Sequence, residues 1–382
     1  MTISGMVYLD WNATAPLRPE AKAALLAALE SPANPSSVHR YGRTARAVAE
    51  SARTQVAALV GAEPKRVVFT SGGTEAGNLA IRLAVSGSGR LPGVKRLVVS
   101  AIEHDCVLRP AQAAGLPVTM VPAGRDGIVA PDALEAALAA EGGAPALVCL
   151  MLANNETGVI QPVAEATRLA HGHGGLLLCD AVQAAGKIPV DMAGLGCDFL
   201  TLSAHKLGGP AGTGALVTRD DWVPAPLIRG GGQELGMRAG TENIGGIAAF
   251  GAAAAAARAG LPETGRVAAL RDRLQAALTA ACPAAPVYGG AVARLPNTLC
   301  IGMPGVPAET QVMAFDLAGV AVSAGSACSS GKVTPSHVLT GMGWPEEAAR
   351  EAVRFSLGWT SSEADIDRAA AAWTALWQRK SK

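Results

Sequence analysis

The apolar run Leu176-Leu177-Leu178-Cys179 ends on Asp180, and the run Phe199 to Ser203 is followed by Ala204, His205 and Lys206. A carboxylate at a strand end can keep a heteroaromatic nitrogen protonated through a charge-assisted hydrogen bond. A lysine at the mouth of a sheet can lose solvation, drop in pKa and add to an aldehyde as a Schiff base. Upstream, Thr70-Ser71-Gly72-Gly73-Thr74-Glu75 closes a strand and opens a helix. Its free backbone N–H groups and the Thr74 hydroxyl then lie at the positive end of a helix dipole, where a phosphate fits. Singly, each feature has a plainer reading: a turn-forming Asp, a solvated Lys, a capped glycine turn. Together they match three parts of pyridoxal phosphate, namely phosphate, ring nitrogen and aldehyde. No GKS or GKT follows the glycines and their spacing is not GxGxxG, which disfavours ATP and NAD.

Further residues extend this chemistry. His104, in Ser100-Ala101-Ile102-Glu103-His104, offers an aromatic face and a proton carrier near neutral pH. Cys328 lies in Ser323-Ala324-Gly325-Ser326-Ala327-Cys328-Ser329-Ser330-Gly331-Lys332, a small-residue stretch with few side chains to bury a thiol, so a reactive cysteine is expected there. Cys149, Cys179, Cys197 and Cys300 sit in or near apolar strand patterns and read as core, while Cys106 and Cys282 carry no signal. Arg354 leads a strand-like run, and its guanidinium suits an amino-acid carboxylate or an ordinary ion pair. His171 and His173 lack the spacing of metal ligands and read as surface loop residues, so no metal is expected.

Positioning these groups requires parallel strands. Short runs over Arg66–Thr70, Arg96–Ser100, Leu147–Leu152, Leu176–Cys179, Phe199–Ser203 and Ala215–Thr218 are mostly apolar throughout and alternate with helical patterns. That is the pattern of an α/β sheet covered by helices on both faces, whose ligands gather beyond the carboxyl ends of the strands. Ile244 to Ala257 reads as a buried helix, too short to span a bilayer. Beyond it come a helix (Gly265–Ala281), a strand (Asn297–Ile301), a helix (Glu309–Leu317), strands over Val320–Ser323 and Val353–Leu357, and a last helix near Ser362 with Asp365 as capping partner. The expected division is a large domain over 15–257 and a smaller α+β domain over 258–382, joined by the segment 1–14.

These motifs carry a resemblance that runs nearly the length of the chain. Tyr8-Leu9-Asp10, Asn12-Ala13-Thr14, Asn34-Pro35-Ser36-Ser37-Val38-His39, Ala153-Asn154-Asn155-Glu156-Thr157-Gly158, Asp180-Ala181-Val182-Gln183, Ser203-Ala204-His205-Lys206, Gly232-Gln233-Glu234, Arg238-Ala239-Gly240-Thr241-Glu242-Asn243, the Cys328 loop and Arg354-Phe355-Ser356 resemble, in order, the cysteine desulfurases of the NifS/IscS type. These belong to the class V aminotransferases of the pyridoxal phosphate-dependent transferase fold type I. The resemblance implies a mainly parallel, seven-stranded type of sheet in the large domain. It implies that Lys206 forms the Schiff base, Asp180 holds the ring nitrogen, Gln183 bonds the phenolic oxygen and His104 stacks on the ring. Gly73, Thr74, Ser203 and His205 would surround the phosphate, and Thr241 would reach the neighbouring subunit's phosphate, implying a homodimer. Asn155 and Arg354 would bind the substrate carboxylate.

The implied reaction converts L-cysteine to L-alanine, with Cys328 taking the sulfur as a persulfide for an acceptor such as an iron–sulfur scaffold. A selenocysteine lyase, another class V aminotransferase and a catalytically idle assembly partner are the alternatives. Trp11 stands where the family commonly has Asn, and Ala211 where Lys is more usual. The chain stops soon after the helix ending near Trp377, which leads us to expect a NifS-like enzyme rather than a general housekeeping one.

Composition agrees with a small-molecule enzyme. In 382 residues, 32 Lys+Arg face 31 Asp+Glu, so no field gathers nucleic acid or an anionic membrane. Hydrophobic residues at 49% and charged residues at 16% exclude disorder. An odd count of seven cysteines without a CxxC pair, and an N-terminus without signal-peptide pattern, lead us to expect a cytoplasmic protein.

Overall fold

The computed structural model describes residues 5–32, 34–87, 93–220, 222, 224–325 and 335–380. Among them the strands are β1 (Val7–Tyr8), β2 (Val67–Thr70), β3 (Arg96–Ser100), β4 (Val118–Val121), β5 (Ala146–Cys149), β6 (Leu176–Asp180), β7 (Phe199–Ser203), β8 (Gly214–Thr218), β9 (Thr298–Gly302), β10 (Val320–Ala321), β11 (Ser323–Ala324) and β12 (Ala352–Ser356). Seven of these form one sheet in the order β2-β8-β7-β6-β5-β3-β4. Of the seven, only β8 runs antiparallel to its neighbours.

The side-chain period of two explains why these strands are apolar throughout. Val98, Val148, Leu177, Leu200 and Val217 face a core shared with the helices Arg40–Leu59 and Ile244–Ala259. Leu97, Val99, Leu147, Leu178, Phe199 and Leu216 face the other way, onto the helices Gly73–Ser86 and Asp105–Gln112. Each such side chain contributes roughly 1.5–3 kcal/mol by leaving water. A polar side chain inside such a sheet needs a partner to offset its lost hydration, so the polar residues collect at the carboxyl edge. Register then juxtaposes them: Asp180 pairs with Thr201, and Gly214 pairs with both Thr70 and Ser203. A Cβ on Gly214 would lie 2.5 Å from the carbonyl carbon of Gly72, so glycine there lets the turn after β2 close over the end of β7.

A second core gathers Leu274, Leu278, Ile301, Phe315, Phe355 and Trp373 around the antiparallel sheet β11-β12-β9. Val7 and Leu9 join that core, with β1 pairing parallel to β10 and Asp10 bridging to Ser356. The chain thus returns its N-terminal segment to the smaller unit before crossing to the large sheet. Tyr288, Leu295 and Cys300, with Val338, Leu339 and Met342, pack instead against the large core. The last helix, Glu363–Lys380, is capped reciprocally: Ser362 N donates to Asp365 Oδ2 at 2.8 Å, and Asp365 N to Ser362 Oγ at 3.3 Å.

Three local expectations change. The single strand over Val320–Ser323 is two, because β10 pairs with β1 while β11 pairs with β12. Strand β4 has no counterpart among the expected strands; it is a sheet edge whose pattern is diluted by half-exposed Val118 and Thr119 and exposed Met120. His171 is not in a loop but in the last turn of the helix Val163–Gly172, 2.9 Å from buried Asp198, and His173 lies 2.8 Å from Glu135. Trp11 is accommodated by Gly358, where a Cβ would fall 2.1 Å from the indole, and by edge contact with Trp359 at 4.5 Å.

Candidate active site

At the carboxyl edge of the large sheet a cavity of about 340 Å³ opens. It brings together Gly73 and Thr74 from the turn after β2, His104 beyond β3, Asn155 beyond β5, Asp180 and Gln183 beyond β6, and Ser203, His205 and Lys206 beyond β7. The first intrahelical bond of Gly73–Ser86 is Ala76 N to Gly72 O at 3.1 Å, so the amides of Gly73, Thr74 and Glu75 stand at the positive end of the dipole. Glu75 braces this turn by accepting from Ser71 N at 2.8 Å and from Arg238 Nε at 3.0 Å. His205, with Nδ1 3.2 Å from Thr14 Oγ1, has its pKa lowered to about 4 by burial and then by Lys206, so its ring is neutral.

Asp180 is fixed on every side. Oδ1 accepts from Val182 N at 2.9 Å and Thr201 Oγ1 at 3.2 Å, and Oδ2 accepts from Cys106 Sγ at 3.7 Å. Burial, then Asp180 and Glu103, push the Cys106 thiol upward, which keeps it a donor. Cys106 also lines the cavity, a role its sequence context did not signal. Behind it lies fully buried Glu103, whose Oε1 accepts from Met151 N at 2.6 Å while Oε2 has no partner among the described residues. Burial, and then the charge of Asp180, raise its pKa well above the usual carboxylate value. His104 caps the helix Asp105–Gln112, its Nδ1 accepting from Cys106 N at 3.1 Å. Its pKa is lowered, chiefly by burial, so the ring presents a neutral face.

Lys206 follows β7 in a single helical turn, Ala204–Lys206, and its Nζ donates to Asn12 O and Ala13 O, both at 2.7 Å. Asn12 is the hub of this region. Its Nδ2 donates to Asn155 O at 3.2 Å and Thr298 Oγ1 at 2.9 Å, and its backbone N to Ser356 Oγ at 2.9 Å. The N-terminal segment thereby ties Lys206 to the smaller unit.

Arg354, on β12, is buried just behind Asn155 and does not line the cavity. Its Nη1 donates to Asn155 O at 3.0 Å, its Nη2 to Asp10 Oδ1 at 2.6 Å, and its Nε has no partner among the described residues. Asn155 Oδ1 is likewise buried without a partner among them. Next to it, buried Glu156 accepts from Ser336 Oγ at 2.5 Å, and burial raises its pKa to about 7. Thr241 is exposed and lies outside the cavity. Cys328 lies outside the described residues. Asn12, Cys106, Glu103 and Lys187 escaped sequence reasoning because their roles depend on contacts between distant segments; only the Asn12-Ala13-Thr14 motif marked one of them.

The set of groups fits pyridoxal phosphate: helix-end amides without a partner among the described residues for the phosphate, a fixed carboxylate for the ring nitrogen, an amine for the aldehyde, and the Asn155 side-chain oxygen beside them. Comparison with known proteins agrees. Residues 7–369 match the family model described as aminotransferase class-V. A cysteine desulfurase of Cereibacter sphaeroides is 46% identical over 368 residues, covering 95% of this chain and 93% of that protein. The structure of a NifS-like protein from Rickettsia africae is similar at TM-score 0.88 and 34% identity, covering 98% of this chain and 99% of that one. A structure described as SspA in complex with cysteine has TM-score 0.77 and 30% identity, covering 92% and 98%. The chain belongs to the class-V aminotransferase family of pyridoxal phosphate enzymes, in the branch of the NifS-like cysteine desulfurases.

Proposed function

We propose that the protein is a pyridoxal phosphate-dependent cysteine desulfurase, releasing L-alanine from L-cysteine and passing the sulfur through Cys328 to an acceptor. The observation that carries this reading is the convergence of Lys206, Asp180, His104 and the Gly73–Thr74 helix end on one cavity. Gly73, Thr74, Ser203 and His205 would hold the phosphate, Asp180 the ring nitrogen, Gln183 the phenolic oxygen and His104 the ring face. When bound, the cofactor supplies an electron sink for the substrate Cα.

The chain supplies the rest. The Asn155 side-chain NH₂ and, from behind it, Arg354 Nε–H, a donor without a partner among the described residues, donate to the substrate carboxylate. The Lys206 amine takes the Cα proton and returns one to carbon. The Cys328 thiolate attacks the substrate sulfur: an S–S bond forms as the Cβ–S bond breaks, the electron pair stays on carbon, and a proton completes alanine. The apolar lining of Met151, Ala153 and Val182 limits water around these groups.

We further propose a homodimer whose partner takes Thr241 at its phosphate; exposed Leu227, Ile228 and Leu235 on the same connection support it. The acceptor fitting this reading is an iron–sulfur scaffold. A cytoplasmic location is supported by six unpaired thiols among the described residues. The test is turnover of L-cysteine by the cofactor-loaded protein, following alanine and protein-bound sulfane sulfur together. Equal amounts are expected; transamination of a 2-oxo acid without sulfane sulfur would favour an aminotransferase, and activity confined to selenocysteine a lyase.

A further inference from the structure

Three hydrogen bonds close a ring behind the cavity. Lys187 Nζ donates to Gln183 Oε1 at 2.6 Å and to Asn12 Oδ1 at 2.7 Å, while Gln183 Nε2 donates to Asn12 O at 3.0 Å. Asn12 cannot turn to suit a different pattern, because its Nδ2 is committed to Asn155 O and Thr298 Oγ1, and its Oδ1 also accepts from Asn297 Nδ2 at 3.0 Å. A glutamine amide presents either its oxygen or its NH₂ to a given neighbour, and the neighbours decide which. Lys187 offers N–H donors toward Gln183, so the amide oxygen must face it. The NH₂ then lies on the Asn12 side, where one hydrogen goes to Asn12 O and the second is left for the cavity that Gln183 lines.

We propose that Lys187 is a positioning residue that locks the Gln183 amide so that its N–H, and not its carbonyl, is presented to the phenolic oxygen of bound pyridoxal phosphate. This rests on the reading that the cavity takes that cofactor with its phenolic oxygen at Gln183. Lys187 does not line that cavity. It borders a separate one of about 270 Å³, shared with Trp11, Arg18, Trp359 and the far side of Lys206. Burial, then the cations Lys206 and Arg354, lower its pKa well below the usual lysine value. The two N–H donations persist whether the amine is charged or neutral, so the lock does not depend on its titration.

A donor on the phenolic oxygen competes with the cofactor's own proton for that oxygen. Losing the donor holds the proton more tightly and moves the pH titration of the cofactor's visible absorbance upward. Holoproteins carrying Lys187→Met, Gln183→Ala and both changes are titrated beside the wild type. Lys187→Met is expected to raise the midpoint by about one pH unit, Gln183→Ala by at least as much, and the double variant no further than Gln183→Ala. Removing a positive charge alone acts equally in both backgrounds, so full additivity would overturn the proposal. So would a wild-type titration in Lys187→Met when Gln183→Ala shifts. An unshifted Gln183→Ala would instead overturn the placement of Gln183 at the phenolic oxygen, and the proposal with it. If Lys187→Met does not retain cofactor, Lys187→Gln decides by the same two criteria.

Discussion

The two sides of the active-site cavity are finished to different degrees. On the side built from β6 and β7, Asp180 accepts three hydrogen bonds and Lys206 rests on two backbone carbonyls. On the side built from Asn155 and β12, Asn155 Oδ1 and Arg354 Nε are buried and find no partner among the described residues. Leaving a buried polar atom unsatisfied costs about 1–3 kcal/mol, so such atoms persist where a ligand completes them. On the proposed reading, the first, more fully bonded and hence rigid side holds the resident cofactor, and the second meets a substrate that comes and goes. The exception is Glu103 Oε2, buried without a partner among the described residues on the rigid side.

The contrast makes ordered predictions. Lys206→Ala removes the amine that moves the Cα proton and should lower alanine formation by about 10³-fold or more, with the cofactor's absorbance changed as well. Asp180→Asn leaves the shape of the rigid wall but removes its charge, and kcat should fall on the order of 10²–10³-fold. Arg354→Gln strikes the unfinished side: KM for L-cysteine should rise roughly 10–100-fold, while the spectrum of the resting enzyme stays as it was. If the spectrum moved as far as in Asp180→Asn, the two sides would not be separate in function.

The smallest effect belongs to Glu103→Gln, since burial and the charge of Asp180 already favour the protonated carboxyl, with turnover changed by less than about threefold. Its stability should carry a pH signature. The folded pKa of Glu103 lies above the unfolded value near 4.5, so the unfolded chain ionises first and wild-type stability falls as pH rises past that point. The amide introduced by Glu103→Gln does not titrate, so urea midpoints of the variant should gain on the wild type as pH rises from 4.5 through neutrality. A constant difference would mean that Glu103 is ionised in the fold.

Much of the rigid side was legible in the sequence, because a parallel strand that runs apolar and then ends on Asp or Lys announces both its burial and its edge. Strands β3 and β7 fall where their patterns put them, over Arg96–Ser100 and Phe199–Ser203. The edge strand β4 and the split between β10 and β11 were hidden, since partner choice and half-exposure leave no period in so few residues. The unfinished side was legible only as a candidate clamp. That Arg354 is held by Asp10, 344 positions away, follows from the N-terminal segment crossing β12, which no local pattern encodes. The Asn12 hub was hidden for the same reason: its partners come from residues 155, 183, 187, 206, 297, 298 and 356.

The central claim is that Lys206 and Cys328 divide the work, one moving the Cα proton and the other taking the sulfur. It is tested most directly by giving cofactor-loaded Cys328→Ala protein L-cysteine in deuterated water. The account predicts that deuterium enters Cα of the recovered cysteine while neither alanine nor protein-bound sulfane sulfur forms. Alanine at the wild-type rate from this variant would contradict it.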